Sequence, residues 1–255
     1  MEKIKLFDGK ALITEALTNE GKIAECYSNF HNYSILNTLA LMTQCYRRGL
    51  EITPVASFKK WSSMGGKIKK GSKALAVNLP LMKKIKRKDE DGNEVEGQIL
   101  TGYLWRNCVF ALSQIEGIEK MEMPKIKGWD YKQAAEKLNI PLIKYDMIDG
   151  NCQGYATKDG VAVNPLAEHA TRTICHEFAH FLMHFKDKAK ELSRTVKEAE
   201  AEMVSYLVGA ILGLDGADES RGYIQHWLGS TEFSEKSCMR ALAVANKILK
   251  AGEVL

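Results

Sequence analysis

The stretch Thr173–His184, T-I-C-H-E-F-A-H-F-L-M-H, decides how the second half of this chain is read. At its centre His176, Glu177 and His180 form an H-E-x-x-H motif. On an α-helix, positions four apart share a face about one turn apart. Two imidazoles so spaced can hold one zinc ion (Zn2+), and the adjacent glutamate can reach water beside it. Upstream, Asn164 is placed to cap a helix opening at Pro165, where a missing N–H costs nothing. Ile174, Phe178, Phe181 and Phe185 recur at steps of four, three and four, which puts one apolar stripe toward a core and leaves the His/Glu face for another task.

A catalytic zinc keeps three protein ligands and one open position. Val196–Leu212 is predicted to be a second helix, with Leu207, Ala210 and Ile211 inward and Gly213 as its stop. Within it Glu198 and Glu202 are four apart and share a face. One can ligate while the other accepts a hydrogen bond from a liganding histidine. Glu198 is taken as ligand with Glu202 as the alternative, and Glu200 points about 160° away from that pair. His184, eight residues beyond His176, lies too far along a straight helix for the same ion and is read as a structural or supporting residue. The expected chemistry is hydrolysis: zinc brings the pKa of bound water to about 7, and Glu177 as general base takes its proton and hands it to a leaving amine. Tyr155, Tyr206 and His226 are candidate oxyanion stabilisers that spacing does not rank.

Bulk properties narrow the setting. With 255 residues and 45% hydrophobic content the chain can bury one large core or two moderate ones. No run of eighteen apolar residues is present, and the N-terminal M-E-K-I-K-L-F-D-G-K lacks an apolar signal core, so a cytoplasmic protein with no membrane partner is expected. The six cysteines are scattered without a C-x-x-C pair, which points to reduced thiols and away from a thiolate zinc site. Charge is uneven. Residues 1–128 carry 21 Lys/Arg and 14 Asp/Glu, net +7, whereas residues 129–255 carry 15 and 18, net −3. Two domains with different partners are expected, near 1–125 and 126–255.

In the first half, residues 11–29 read as helical, interrupted by Gly21, and Tyr33–Arg48 reads as a stronger helix ended by Gly49. Its Ile35, Leu36, Leu39 and Met42 form a core stripe, leaving Asn37, Gln44 and Arg48 available to face outward. From Ile52 to Lys88 there is no acidic residue but eleven basic ones, Lys69, Lys70 and Lys73 among them, with Phe58 and Trp61 interleaved. Cations that track phosphates beside flat rings on which bases stack are what single-stranded DNA requires. Lys73–Leu81 reads as a strand ending near Pro80, Asp89–Glu96 as an acidic hairpin tip, and Gly97–Phe110 as a second strand. Ser113–Asp130 is the linker candidate, followed by a helix at Trp129–Leu138. Strands at Gln153–Thr157 and Val161–Val163 flank the Lys158-Asp159-Gly160 turn, and this hairpin feeds the H-E-x-x-H helix, where its edge could pair with an extended peptide. A last helix is expected at Glu235–Lys250.

Two resemblances attach to these residues. The run F-H-N-Y-S-I-L-N-T-L-A-L-M-T-Q, followed by S-F-K-K-W-S-S-M-G-G-K-I-K-K-G-S-K-A, resembles the N-terminal domain of ArdC-type antirestriction proteins through Tyr33, Ser34, Asn37, Gln44, Trp61, Lys69, Lys70, Gly71 and Lys73. The second half is similar to the zinc-peptidase domain of the same family and of the ImmA/IrrE group, through G-Y-A before the hairpin, H-E-F-A-H-F-L-M-H and the E-A-E-A-E helix. The resemblance implies an α+β protein in two parts. N-terminal helices with a small antiparallel sheet would bind single-stranded DNA, with Tyr33, Asn37, Gln44, Trp61, Lys69, Lys70 and Lys73 as contacts. A C-terminal zincin-like, gluzincin-type metallopeptidase domain would act on a protein substrate that the sequence does not identify. The implied role is protection of mobile DNA from host restriction. The alternatives are a non-proteolytic DNA-binding protein with structural zinc, and an ImmA-like regulatory protease acting on a repressor.

Overall fold

The computed structural model describes residues 8–18, 22–30, 33–88, 94–123, 127–147, 152–185, 192–216, 219–230 and 233–254. In chain order these form α1 (Gly9–Thr18), α2 (Lys22–Asn29), α3 (Ile35–Arg48), β1 (Val55–Ser57), α4 (Phe58–Ser63), β2 (Lys67–Ile68), β3 (Leu75–Lys88), β4 (Glu94–Ala111) and β5 (Ile115–Glu116). Then follow β6 (Gly128–Trp129), α5 (Tyr131–Leu138), β7 (Gly154–Thr157), β8 (Gly160–Val163), α6 (Ala170–His180), α7 (Arg194–Leu212), α8 (Glu219–Gly229), α9 (Glu235–Gly252) and β9 (Glu253–Val254). Helices with small antiparallel sheets make this an α+β fold. No helix among the described residues is long and apolar enough to cross a membrane.

The contacts divide the chain into two compact units, 1–43 with 122–255, and 44–121. This division differs from the boundary near residue 125 that charge asymmetry suggests, because the first helices pack with the C-terminal part. The apolar sides of α1 (Leu12, Ile13, Ala16, Leu17) and α2 (Ile23, Cys26, Tyr27) are buried, α1 against α8 and α9 and α2 against α7. Two backbone N–H groups opening α1, those of Gly9 and Lys10, donate to the Glu235 carboxylate at 2.6 and 3.1 Å, a charge-assisted use of donors that a helix start leaves unpaired. Net charge per half reports partners and solubility, not packing.

The unit 44–121 is built on a three-stranded sheet in the order β1-β4-β3. Strand β3 runs on through Pro80, which lies opposite Tyr103, to Lys88, whereas the sequence suggests an end at Pro80. As the edge of the sheet, β3 can carry a residue without an N–H on its open side. The hairpin tip lies partly outside the described residues, at 89–93. Residues Ser113–Asp130 are not a uniform linker, since β5 pairs with β2 through Lys67↔Glu116 and Ile68↔Ile115 and closes this unit. Trp61, Ala56 and Ile115 are its buried centre, with Ile68, Phe110 and Leu112 packed around them.

In the other unit α6 packs on α7, α7 on α9, and the β7–β8 hairpin on α6. The hairpin closes at Thr157↔Gly160. Two glycines allow its tight fit. A Cβ on Gly160 would stand 2.5 Å from the Pro141 carbonyl oxygen, and one on Gly154 would stand 2.8 Å from Thr173 Cγ2 and 3.3 Å from Glu177 Cγ, both on α6. Strand β7 therefore runs directly beside the helix that carries the H-E-x-x-H residues.

Candidate metal centre

Helix α6 begins later than Asn164 suggests. Asn164 accepts the Leu166 N–H and donates to the Cys152 carbonyl, and its own carbonyl accepts from Ala167 N. It builds a turn that ties the hairpin to the approach of α6, and the helix opens at Ala170 after an N-cap, His169, that makes no side-chain cap bond. Beyond His180 the chain makes one π-helical turn, Phe181–Phe185. Helix α7 has a regular start and stop: Ser193 Oγ accepts the Val196 N–H, and Gly213 closes it at φ 65°. Its packing on α6 brings the glutamates to the histidines.

Three donor atoms converge. His176 Nε2 and His180 Nε2 are 3.1 Å apart, and Glu198 Oε2 lies 3.5 Å from the first and 3.4 Å from the second. A tetrahedral ion with ligand bonds of about 2.0–2.1 Å sets its ligands about 3.3–3.4 Å apart. The triangle is of that size, and its two imidazoles and one carboxylate suit zinc and several other divalent ions. His176, His180 and Glu198 thus form a group that could hold a metal ion. Glu202 sits one turn on, its Oε2 3.1 Å from His176 Nδ1, on the side of the ring away from the triangle. Arg172 and Ser220 in turn bond Glu202, the guanidinium at 3.3 Å. The buried Glu200, which faces away from Glu198, bonds His184 Nε2 at 3.0 Å and the Arg240 guanidinium.

Glu177 is buried on the same helix, 8% exposed, and lines a cleft of about 430 Å³ together with Cys152, Gln153, Gly154 and His176. Burial raises its carboxyl to about 7; the His176 ring opposes that shift and the Glu198 charge reinforces it. Burial works against a charged His176, but hydrogen bonds to Glu198 and Glu202 prevail and lift it to about 9. His180 is pushed down to about 4 by burial and by the neighbouring His176 ring. The hydrogen bond from His176 holds the Glu198 carboxyl at about 2. Neighbouring groups of one small cluster are thus driven in opposite directions.

The other candidates scatter. The Tyr155 hydroxyl bonds Asp146, Tyr206 is buried, and the exposed His226 packs edge-on against Trp227. Tyr223, which spacing does not mark, lines a second cleft of about 480 Å³ with His176, Glu198 and Glu202. In the unit 44–121, Lys70 and Lys73 are exposed, as is Lys69, whose Nζ donates to the Ser113 carbonyl at 2.7 Å. Trp61 is fully buried, its Nε1 donating to the Phe110 carbonyl at 2.8 Å. Gln44, at 2% exposure, spends its amide on the backbone of Ala76. Asn37 is buried and Tyr33 half-buried in the other unit. The outward presentation of Asn37 and Gln44, and of Trp61 as a stacking ring, is therefore corrected: a 3.6-residue pattern identifies one buried stripe but does not show what covers the remaining faces. The most exposed aromatic rings of the unit 44–121 are Phe58 and Tyr103, at 60% and 62%.

Fold and site together define a class, a mixed α+β protein in which a two-histidine helix and a glutamate helix bring together a donor set of the metal-binding kind. Residues 14–110 match the family model of the N-terminal domain of anti-restriction factor ArdC. The crystal structure of the antirestriction ArdC protein from the R388 plasmid, in its metal-free form, aligns with 97% of this chain and 96% of its own, at 20% identity and a TM-score of 0.56. The Mn(II)-bound structure of that protein aligns over 85% of this chain and 83% of its own, at 18% identity and a TM-score of 0.48. Residues 14–110 are thus similar to the ArdC N-terminal domain, and the chain shares its fold with an ArdC antirestriction protein. A curated relative, the uncharacterized protein pXO2-81 of Bacillus anthracis, is 23% identical over 89% of this chain and 46% of its own length, so the chain spans about half of that relative.

Proposed function

We propose that this protein binds single-stranded DNA and hydrolyses peptide bonds at a zinc site held by His176, His180 and Glu198, protecting mobile DNA from host restriction. The observation that carries the hydrolytic reading is the donor triangle, with sides of 3.1–3.5 Å, beside a cleft into which Glu177 is built. Bound there, the ion would supply Lewis acidity toward a carbonyl and toward water. The chain's own residues do the rest. Glu177, held near neutrality by burial, takes a proton from water and passes it to the leaving amine. Glu202 accepts the His176 Nδ1 proton and so leaves Nε2 free to donate its lone pair. Strand β7, running beside α6, offers its edge to an extended peptide. Tyr223, which lines the second cleft, is the candidate donor to a developing oxyanion.

DNA binding rests on the acid-free run Ile52–Lys88, with Lys69, Lys70 and Lys73 on the surface and Phe58 and Tyr103 as exposed rings. That surface lies in a unit of its own and favours a second reading, in which strand protection needs no proteolysis. One variant separates the two. Glu177→Gln should retain stoichiometric zinc and full affinity for single-stranded DNA while losing hydrolysis of casein as a general protein probe. Retained hydrolysis refutes Glu177 as the base. Antirestriction that persists in the inactive variant selects the second reading.

A further inference from the structure

His180 has a neighbour that the proposed zinc site does not use. His184 lies four residues past His180, within the π-helical turn Phe181–Phe185, and its ring stands beside that of His180. His184 Nδ1 lies 2.9 Å from His180 Nδ1, and its Nε2 lies 3.0 Å from Glu200 Oε2. The Arg240 guanidinium from α9 donates to the other Glu200 oxygen. Glu200 has no exposed surface and the His184 side chain 3%. A carboxylate so deep in the interior is kept only when its oxygens are bonded, and both oxygens of Glu200 are, one to His184 and one to Arg240.

With an ion on His180 Nε2, the protons along this chain have one consistent assignment. His180 Nε2 faces His176 and Glu198, so the ring donates its lone pair there only with its proton on Nδ1. That N–H points at His184 Nδ1, which must then accept and carry its own proton on Nε2. The Nε2–H donates to Glu200, whose charge Arg240 balances.

We propose that His184, Glu200 and Arg240 are positioning residues that lock His180 in its Nδ1–H form, with Nε2 aimed into the donor triangle, and thereby set the strength of metal binding. The proposal rests on the reading that His176, His180 and Glu198 hold a divalent ion. It assigns to His180 a support of three residues reaching through α7 to α9, where His176 is backed by Glu202 with Arg172 and Ser220.

The test measures Zn(II) affinity of the full chain by competition with a chromophoric chelator, and the visible spectrum of the Co(II)-loaded protein. His184→Leu and Glu200→Gln should each weaken Zn(II) binding by about 10–100-fold, the usual effect of removing a partner behind a ligand. His184→Gln, which can accept from His180 and donate to Glu200, should restore most of that loss. The Co(II) bands should shift in His184→Leu and return in His184→Gln. Circular dichroism confirms that each variant is folded, and the His184 pair keeps the test decisive if Glu200→Gln destabilises the chain. Folded His184→Leu with wild-type Zn(II) affinity and an unchanged Co(II) spectrum overturns the proposal while leaving the metal reading intact. A wild-type chain that binds no Zn(II) overturns both.

Discussion

Gln44 offers the sharpest test of how the unit 44–121 is held together. It lies on the last turns of α3, 2% exposed, where its Nε2 donates to the Ala76 carbonyl at 2.9 Å and its Oε1 accepts the Ala76 N–H at 2.8 Å. Ala76 belongs to β3, the edge of the β1-β4-β3 sheet. The side-chain amide thus stands in for one residue of a neighbouring strand. Gln44→Met keeps the volume and removes both bonds, leaving a buried N–H and a buried carbonyl unpaired at about 1–3 kcal/mol each. The loss is about 2–6 kcal/mol in all. With a urea slope of about 1–3 kcal/mol per molar, the unfolding midpoint should fall on the order of 1–2 M, read by tryptophan fluorescence because Trp61 and Trp105 lie in the same unit. A midpoint unchanged within experimental error refutes the clamp. A variant of full stability that had lost single-stranded DNA binding would instead restore Gln44 as an outward-facing contact.

Three further outcomes are expected. Trp61→Ala should cost about 3–5 kcal/mol of stability as a core truncation, whereas Phe58→Ala and Tyr103→Ala should leave the urea midpoint nearly unchanged and weaken single-stranded DNA binding in a titration followed by fluorescence anisotropy. Gly154→Val should lose about 1–3 kcal/mol in urea unfolding, because the added atoms enter space already held by Thr173 and Glu177; casein hydrolysis should fall with it as β7 is pushed from α6. Burial raises the Cys45 thiol to about 11 and the Cys238 thiol to about 12, the latter with help from Glu235. Each folded value stands above the unfolded one, so their contribution to stability is whole below about pH 8.5 and is lost as pH rises toward 11–12. Unfolding free energy measured at pH 7.5 and pH 10 should drop less in Cys45→Ala/Cys238→Ala than in the parent, and an identical drop refutes the assignment.

Whatever depends on near neighbours along the chain was legible from the residues themselves. The i, i+4 spacing of His176 and His180, the same spacing of Glu198 and Glu202, the turn at Lys158-Asp159 and the stop at Gly213 each follow from one helix turn or one hairpin. Tertiary structure decided everything that depends on what covers a face. Packing of α6 on α7 placed Glu198 Oε2 within 3.5 Å of both Nε2 atoms and Glu202 at the far nitrogen of His176, a choice that two glutamates on one helical face leave open. The edge position of β3 let it continue through Pro80, and the interior of its unit claimed Trp61 and Gln44. His184, one turn past His180, meets that ring and the buried Glu200 and stays outside the donor triangle, the supporting place its spacing suggests, but only packing on α7 supplied Glu200 as its partner. Periodicity tells which residues share a side of an element. Only the packed chain supplies the atoms opposite them, and those atoms determine whether a polar side chain meets solvent, backbone or a metal.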